Sequence, residues 1–332
     1  MNVLIVDMLG CRFPDLGFQI KTAFESLGHT VRTFDYRKWK LQHFSLTNKL
    51  LNRIIIHTAV SWPADLVLVS KGESILPGTI ERISSQGIKT VNWEPDEPFG
   101  DLQPFNKIQN VGEYDYFFMY DKQYVKRLKE LNPHTYYLPA GADPFGVHKE
   151  YIPIDERKFP ADICLVGTAY QNRIELMSTQ LNKKLLIAGP GWDTTSENLK
   201  NISLPPIKIV EMTKFFNNAK VVLNPYGPSK SFIVPNPRTF EIPATMSFQL
   251  TDMSRDVDDF FKKGKEIDVY KDVKEFEELV EYYLEDDDAR TKIARAGYQR
   301  VLKEHTIRHR VEEVLRIVGL SKKSVEEKKY SS

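Results

Sequence analysis

The feature that most constrains this chain is an alternation that runs, breaks once and starts again. Apolar runs of strand length stand at 2–7, 30–35, 64–70, 88–93, 114–119 and 134–138. Between them lie stretches with helical spacing at 16–27, 48–60, 76–86 and 122–131. Gly28 and Gly87 follow two of these stretches, where a helix is expected to stop. Strands that alternate with helices predict right-handed βαβ units and a parallel sheet covered on both faces.

The break comes at Pro139-Ala140-Gly141-Ala142-Asp143-Pro144, and the charged, proline-bearing stretch 149–160 reads as an interdomain linker. The alternation then resumes. Strands are expected at 162–167, 184–188, 221–224, 248–251 and 266–270. Helices are expected at 172–181, 210–219, from Asn236, and at 273–284, 288–304 and 307–318. The fold class is therefore α/β, with two Rossmann-like lobes and a cleft between them. The expected domains are 1–148 and 149–306, followed by a helix at 307–320 and a disordered polar tail at 321–332. A length of 332 residues suits two domains of ordinary size.

Composition removes several function classes. Lysine and arginine number 46 against 45 acidic residues, so net charge argues for neither nucleic acid nor a membrane surface. No apolar run approaches the ~20 residues that span a bilayer. The opening Met1-Asn2-Val3-Leu4-Ile5 reads as a strand and not as a signal peptide, so a cytoplasmic location without stable membrane insertion is expected. Cys11 and Cys164 are read as small loop and core residues with no disulfide. The histidines are read as lacking HxxxH and HExxH spacing, and no metal site is expected.

Open α/β sheets bind ligands at loops that follow the C-terminal ends of strands. In the second half, Asn236-Pro237-Arg238-Thr239-Phe240-Glu241 opens a helix, with Asn236 as N-cap and Pro237 at the first position. A helix start with Arg238 beside it suits a phosphate, and Glu241, on the same face, suits a pair of ribose hydroxyls. A capped surface helix with an Arg–Glu pair is the plain alternative. The loop before it, Tyr226-Gly227-Pro228-Ser229-Lys230-Ser231, brings hydroxyls and Lys230 with no acidic residue, or is simply a surface loop. Gly167 through Arg173 offers close backbone approach and a second cation. Gly189-Pro190-Gly191-Trp192 places an indole after a glycine turn, either to stack on a base or to close a core.

In the first half, Trp93-Glu94-Pro95-Asp96-Glu97-Pro98-Phe99 holds three carboxylates between prolines. The stretch is either a solvated acidic loop or the source of a general base; Asp96 is then the best-placed base, with Asp143 as rival, although an aspartate in such a turn more often organises the turn itself. The basic and aromatic stretch at 37–40, continued by His43, Lys49 and Arg53, could face an anionic acceptor or a membrane surface, or lie on the solvated face of a packed helix.

The same residues, in this order, resemble the CgeB-like spore-maturation glycosyltransferases, a GT-B family with a group-1-like C-terminal domain. The resemblance is carried by the segments at 159–173, 189–192, 236–244, 264–270 and 294–306, and more loosely by 27–31 and 93–98. It implies two lobes facing across a cleft, an acceptor-side first lobe, a nucleotide-sugar-binding second lobe, and final helices that cross back to the first. It also implies that Glu241 contacts the donor ribose, that Arg238 and Arg173 lie near the diphosphate, and that Gly189 and Gly191 line the nucleotide pocket. Many retaining enzymes of this type carry a second glutamate eight positions before the ribose glutamate. Here that position is Ile233, so the sugar contact must come from elsewhere.

The expected activity is transfer of a sugar, from a UDP-sugar by default, to a glycan, protein or other polymer without a metal cofactor. A nucleotide-sugar 2-epimerase and a non-catalytic nucleotide-binding scaffold are the alternatives. A nucleic acid acceptor is not favoured by the near-neutral charge.

Overall fold

The computed structural model describes residues 1–7, 16–36, 45–99, 105–227 and 234–321. Cys11, the stretch at 37–40, His43, Lys230, Ile233 and the tail beyond Ser321 lie outside the described residues. The chain divides into two compact units, Met1–Pro139 together with Ile307 onward, and Ala140–Thr306.

In the first unit the strands are β1 (Asn2–Asp7), β2 (Thr30–Asp35), β3 (Leu66–Ser70), β4 (Lys89–Glu94), β5 (Tyr116–Met119) and β6 (Thr135–Tyr137). Helices α1 (Leu16–Ser26), α2 (Ser45–Ser61), α3 (Thr79–Ser84), α4 (Phe105–Asn110) and α5 (Lys122–Leu128) connect them. The sheet order is β2-β1-β3-β4-β5-β6, and every pairing is parallel. Alternate residues of the central strands, Val3, Ile5, Leu66, Leu68, Val91 and Trp93, join one core with Ile20 and Phe24 of α1. Full burial of each such side chain contributes roughly 1.5–3 kcal/mol.

The second unit holds β7 (Ala161–Val166), β8 (Leu185–Ala188), β9 (Ser203–Leu204), β10 (Ala219–Asn224), β11 (Gln249–Asp252) and β12 (Asp268–Tyr270). Its helices are α6 (Gln171–Ser178), α7 (Glu197–Ile202), α8 (Ile209–Asn217), α9 (Pro237–Ala244), α10 (Val273–Glu285) and α11 (Asp287–Arg300). The order β12-β11-β10-β7-β8-β9 is again all parallel. Strand periodicity splits the core in two: Ile163, Leu165, Val221 and Leu223 pack with α10 and α11, while Cys164 and Val222 face Met212 and Phe216 of α8. The two-residue β9 is too short to register in the alternation of the sequence.

The last helix, α12 (Ile307–Val318), returns to the first unit. Val311, Val314, Leu315 and Val318 enter the core of β1, β3 and α1. That is the crossing-back expected of the C-terminal helices. The expected helix at 288–304 ends sooner, at Arg300, and continues as a π-helical turn over Val301–His305.

The boundary between units falls at 139/140 and not at 148/149. The amide of Ala142 donates to the His305 carbonyl at 3.1 Å, Val147 sits in the second unit's core, and His148 is fully buried there. The stretch 149–160 is likewise fastened to the second unit. Asn217 Oδ1 accepts the amides of Tyr151 and Ile152, and the Arg157 guanidinium donates to the carbonyls of Ile152, Thr245 and Met246.

Candidate active site

In a doubly wound sheet the ligand crevice opens where the strand order reverses, beyond the C-terminal strand ends. In the second unit that point lies between β7 and β10, the first strand of the unit and its neighbour on the other side. Gly167 follows β7, and Pro225 and Tyr226 follow β10.

Arg173 occupies this point. It is nine-tenths buried, donates through Nε and Nη2 to the Pro225 carbonyl at 2.9 and 2.6 Å, and through Nη1 to the Thr168 carbonyl at 3.1 Å. Its guanidinium thus ties the two loops together, and burial lowers its pKa. A Cβ at Gly167 would lie 2.5 Å from Nη1, so the glycine makes room for the arginine. Gly189, with φ of 147°, is required for a similar reason: a Cβ there would meet the Gly167 carbonyl at 2.0 Å. These glycines let two loops lie backbone to backbone.

Helix α9 leads from β10 to β11. Asn236 caps it, accepting from the Thr239 amide at 3.2 Å and donating to Asn224 Oδ1 at 3.0 Å. The cap takes the Thr239 amide and Pro237 has none, so Arg238 supplies the remaining amide of that opening turn. An anion placed at this helix start would meet the Arg238 side chain more than bare helix amides.

Arg238 and Glu241 are ion-paired through Nη1 and Oε2. Arg238 is partly exposed, yet its Nε–H is buried and has no hydrogen-bond partner among the described residues. Glu241 is 5% exposed, and its other oxygen lies 3.4 Å from His148 Nε2. Burial pushes the Glu241 carboxyl up, but Arg238 and His148 outweigh it and hold the pKa at about 2. A fully ionised carboxylate in a buried setting is an acceptor waiting for hydroxyl donors. His148 carries no motif, and sequence reasoning passed over it. Its position five residues after Asp143, at the end of a turn, was the one available signal.

Three expected donor-site residues turn out to be supports. Trp192 is 1% exposed, donates Nε1–H to the Gly167 carbonyl at 2.8 Å and belongs to the same core cluster as Leu165 and Leu176, so it closes the core and cannot stack on a base. Thr239 is fully buried, its hydroxyl within 3.2 Å of Asn224 Nδ2 and 3.3 Å of the Tyr226 hydroxyl. Tyr226 is 2% exposed and its amide donates to Asp252 Oδ1 at 2.9 Å. Burial pushes the Asp252 carboxyl up to about 6. This carboxylate beside the switch point was not singled out from the sequence. Gly191 keeps a left-handed φ of 85° and is exposed on the β8 loop.

In the first unit the order reverses between β1 and β3, and Lys71 follows β3. Lys71 holds a φ of 60°, an uncommon backbone for a side chain of its size, and its Nζ lies 2.7 Å from Asp96 Oδ2. Burial works against the lysine charge, but Asp96, Glu73 and Glu94 outweigh it and raise the pKa. The remaining carboxylates of the acidic loop have other work. Glu94 is buried and accepts the Asp96 amide at 3.0 Å, and Glu97 accepts from the Tyr124 hydroxyl at 2.7 Å. Asp96 is thus singled out by its partners.

Asp143 is corrected to a structural role. Its two carboxylate oxygens accept the amides of Gly146 and Val147 at 3.0 and 3.2 Å, which closes a turn. The reading that no HxxxH spacing occurs is corrected, since His305 and His309 are four apart; Thr306 between them is extended and His305 Nε2 lies 3.0 Å from the Phe260 carbonyl, so they share no helix face. No helix among the described residues is long and apolar enough to cross a membrane. Lys49 and Arg53 are exposed on α2.

Against known proteins, residues 171–316 match the family model described as glycosyl transferase-like. The chain is 22% identical over 263 residues to Spore protein CgeB of Bacillus subtilis (strain 168), covering 72% of this chain and 78% of that protein. Among solved structures it is similar to sucrose-phosphate synthase from Thermosynechococcus elongatus, at 11% identity, full coverage of both chains and a TM-score of 0.67. It is also similar to HepE of Anabaena in complex with UDP and glucose, at 12% identity, 95% and 98% coverage and a TM-score of 0.64. An alpha-glucosyltransferase in complex with UDP and a 13-mer DNA aligns at 12% identity, 96% and 99% coverage and a TM-score of 0.69. The fold is α/β of the GT-B type, and the resemblance to CgeB-like glycosyltransferases read from the sequence is borne out.

Proposed function

We propose that this chain is a glycosyltransferase that moves a sugar from a nucleoside diphosphate sugar, UDP-linked by default, to a hydroxyl of a glycan, protein or other polymer. The observation that carries the reading is the opening of α9. An ionised, buried Glu241 stands next to an arginine whose buried Nε–H has no partner among the described residues, on the loop edge where a doubly wound sheet binds its ligand. Two neighbouring ribose hydroxyls match the carboxylate, and a diphosphate oxygen matches the guanidinium.

In the proposed reaction the bond from the sugar C1 to the diphosphate oxygen breaks and a bond from C1 to the acceptor oxygen forms. The electron pair leaves with the diphosphate, where Arg238 stabilises the charge in place of a metal ion. The acceptor proton goes to a base, for which Asp96, oriented by Lys71, is the candidate of the first unit.

The test is a thermal-shift screen of nucleotide sugars, followed by product analysis with and without acceptor. A true donor at 100 times its dissociation constant adds about 2.7 kcal/mol of stability. Transfer should need an acceptor and persist in a chelator. A sugar isomer formed without acceptor would establish epimerisation instead, and activity lost to chelator and restored by manganese would overturn metal independence.

A further inference from the structure

We infer that His148 is the positioning residue that sets the Glu241 carboxylate for recognition of a ribose diol. This deepens the reading of Glu241 given above and rests on it.

Imidazole chemistry decides which proton His148 carries. The Asp143 amide donates to Nδ1 at 3.0 Å, and the His148 amide donates back to the Asp143 carbonyl at 2.7 Å. A ring nitrogen that accepts a backbone N–H must present its lone pair, so the proton of the neutral ring sits on Nε2. That Nε2 is wholly buried and makes no hydrogen bond within normal distance among the described residues. A buried unmet donor is costly, and such groups in native structures have a reason to be there.

The reason lies 3.4 Å away, at Glu241 Oε1. Arg238 already holds the other oxygen, Oε2. The carboxylate is therefore bracketed by the Arg238 guanidinium on one side and the His148 N–H on the other. A small rotation of the carboxylate toward Nε2 would close that gap and turn the remaining lone pairs to the ligand. The turn built by Asp143 fixes the ring, because its carboxylate holds the amides of Gly146 and Val147 while its backbone holds Nδ1. The Asp143 turn thus reaches the donor site through His148, although its own carboxylate is spent on the turn.

Two substitutions separate the halves of the ring. In His148→Asn the amide oxygen can replace Nδ1 as acceptor for Asp143, but nothing replaces Nε2–H. In His148→Gln the amide nitrogen can replace Nε2–H as donor to Glu241. Calorimetric titration with UDP and 2′-deoxy-UDP is run on both, on Glu241→Ala and on wild type, with melting curves to confirm folding. Expected are about ten-fold weaker UDP binding and loss of most ribose-over-deoxyribose discrimination in His148→Asn, recovery in His148→Gln, and a raised donor KM with little change in kcat. Wild-type discrimination in a folded His148→Asn, with discrimination lost in Glu241→Ala, overturns the positioning role alone. Wild-type discrimination in Glu241→Ala overturns the ribose reading and this inference with it. If His148→Asn does not fold, nitrogen-15 histidine spectra of the wild type decide. The Nε2 proton should move downfield when UDP binds, and an unmoved resonance overturns the proposal.

Discussion

Replacing Glu241 by glutamine should cost this protein a pH-dependent share of its stability. The carboxyl is 5% exposed, ion-paired with Arg238 and flanked by His148, and its pKa falls from the ordinary 4.5 to about 2. At about 1.36 kcal/mol per decade, that fall corresponds to about 3 kcal/mol in favour of the folded state. The sign follows from the direction of the shift. A carboxyl with a depressed folded pKa contributes fully above its unfolded value and loses the contribution as pH drops toward the folded one. The stabilisation should therefore be complete at pH 7, begin to fade below about 4.5 and be gone near 2. Glutamine keeps the shape and removes the charge, leaving Arg238 without its partner. The assay is urea denaturation of wild type and Glu241→Gln from pH 7 to pH 2.5. Other carboxyls titrate in this range, but they do so in both proteins and cancel in the difference. The variant should be about 3 kcal/mol less stable at pH 7 and approach wild type at the acid end. A difference that stays constant from pH 7 to pH 2.5 would refute the depressed pKa and the ion-pair origin of the stabilisation.

Other substitutions test the remaining supports and the site. Gly189→Ala places a Cβ 2.0 Å from the Gly167 carbonyl at a φ of 147°, so stability should fall by about 2 kcal/mol or more, read as a lower urea midpoint. Lys71→Gly removes the ion pair from Lys71 to Asp96 but relieves a left-handed backbone, so stability should stay within about 1 kcal/mol of wild type while kcat falls at least about ten-fold; an unchanged kcat would remove the Lys71–Asp96 pair from the chemistry. Arg238→Ala should weaken UDP by roughly ten-fold or more and leave uridine almost unaffected, and equal losses for both ligands in titrations would mean that Arg238 does not meet the diphosphate.

What the sequence determined by itself was the sheet chemistry and one helix start. Two runs of strand–helix alternation dictate two parallel sheets, because strands buried on both faces and joined by helices have few other ways to hide their apolar sides. The opening of α9 is equally local: Asn236, Pro237, Arg238 and Glu241 fall on one helical turn, so their spacing alone brings them together. The tertiary structure decided everything that depends on contacts between distant segments. No periodicity distinguishes a tryptophan that stacks on a ligand from one that donates to the Gly167 carbonyl in a core, and Trp192 does the latter. Arg173 has the composition of a phosphate ligand, yet the Pro225 carbonyl, 52 residues away, takes much of its hydrogen-bonding capacity. Lys71 reaches Asp96 only because β3 and β4 are adjacent, and His148 reaches Glu241 only because the stretch after Pro139 folds onto the second unit. Spacing along a chain governs which groups share a helix face or a strand face, whereas burial and long-range pairing govern which of those groups still have an unmet bond to offer a ligand.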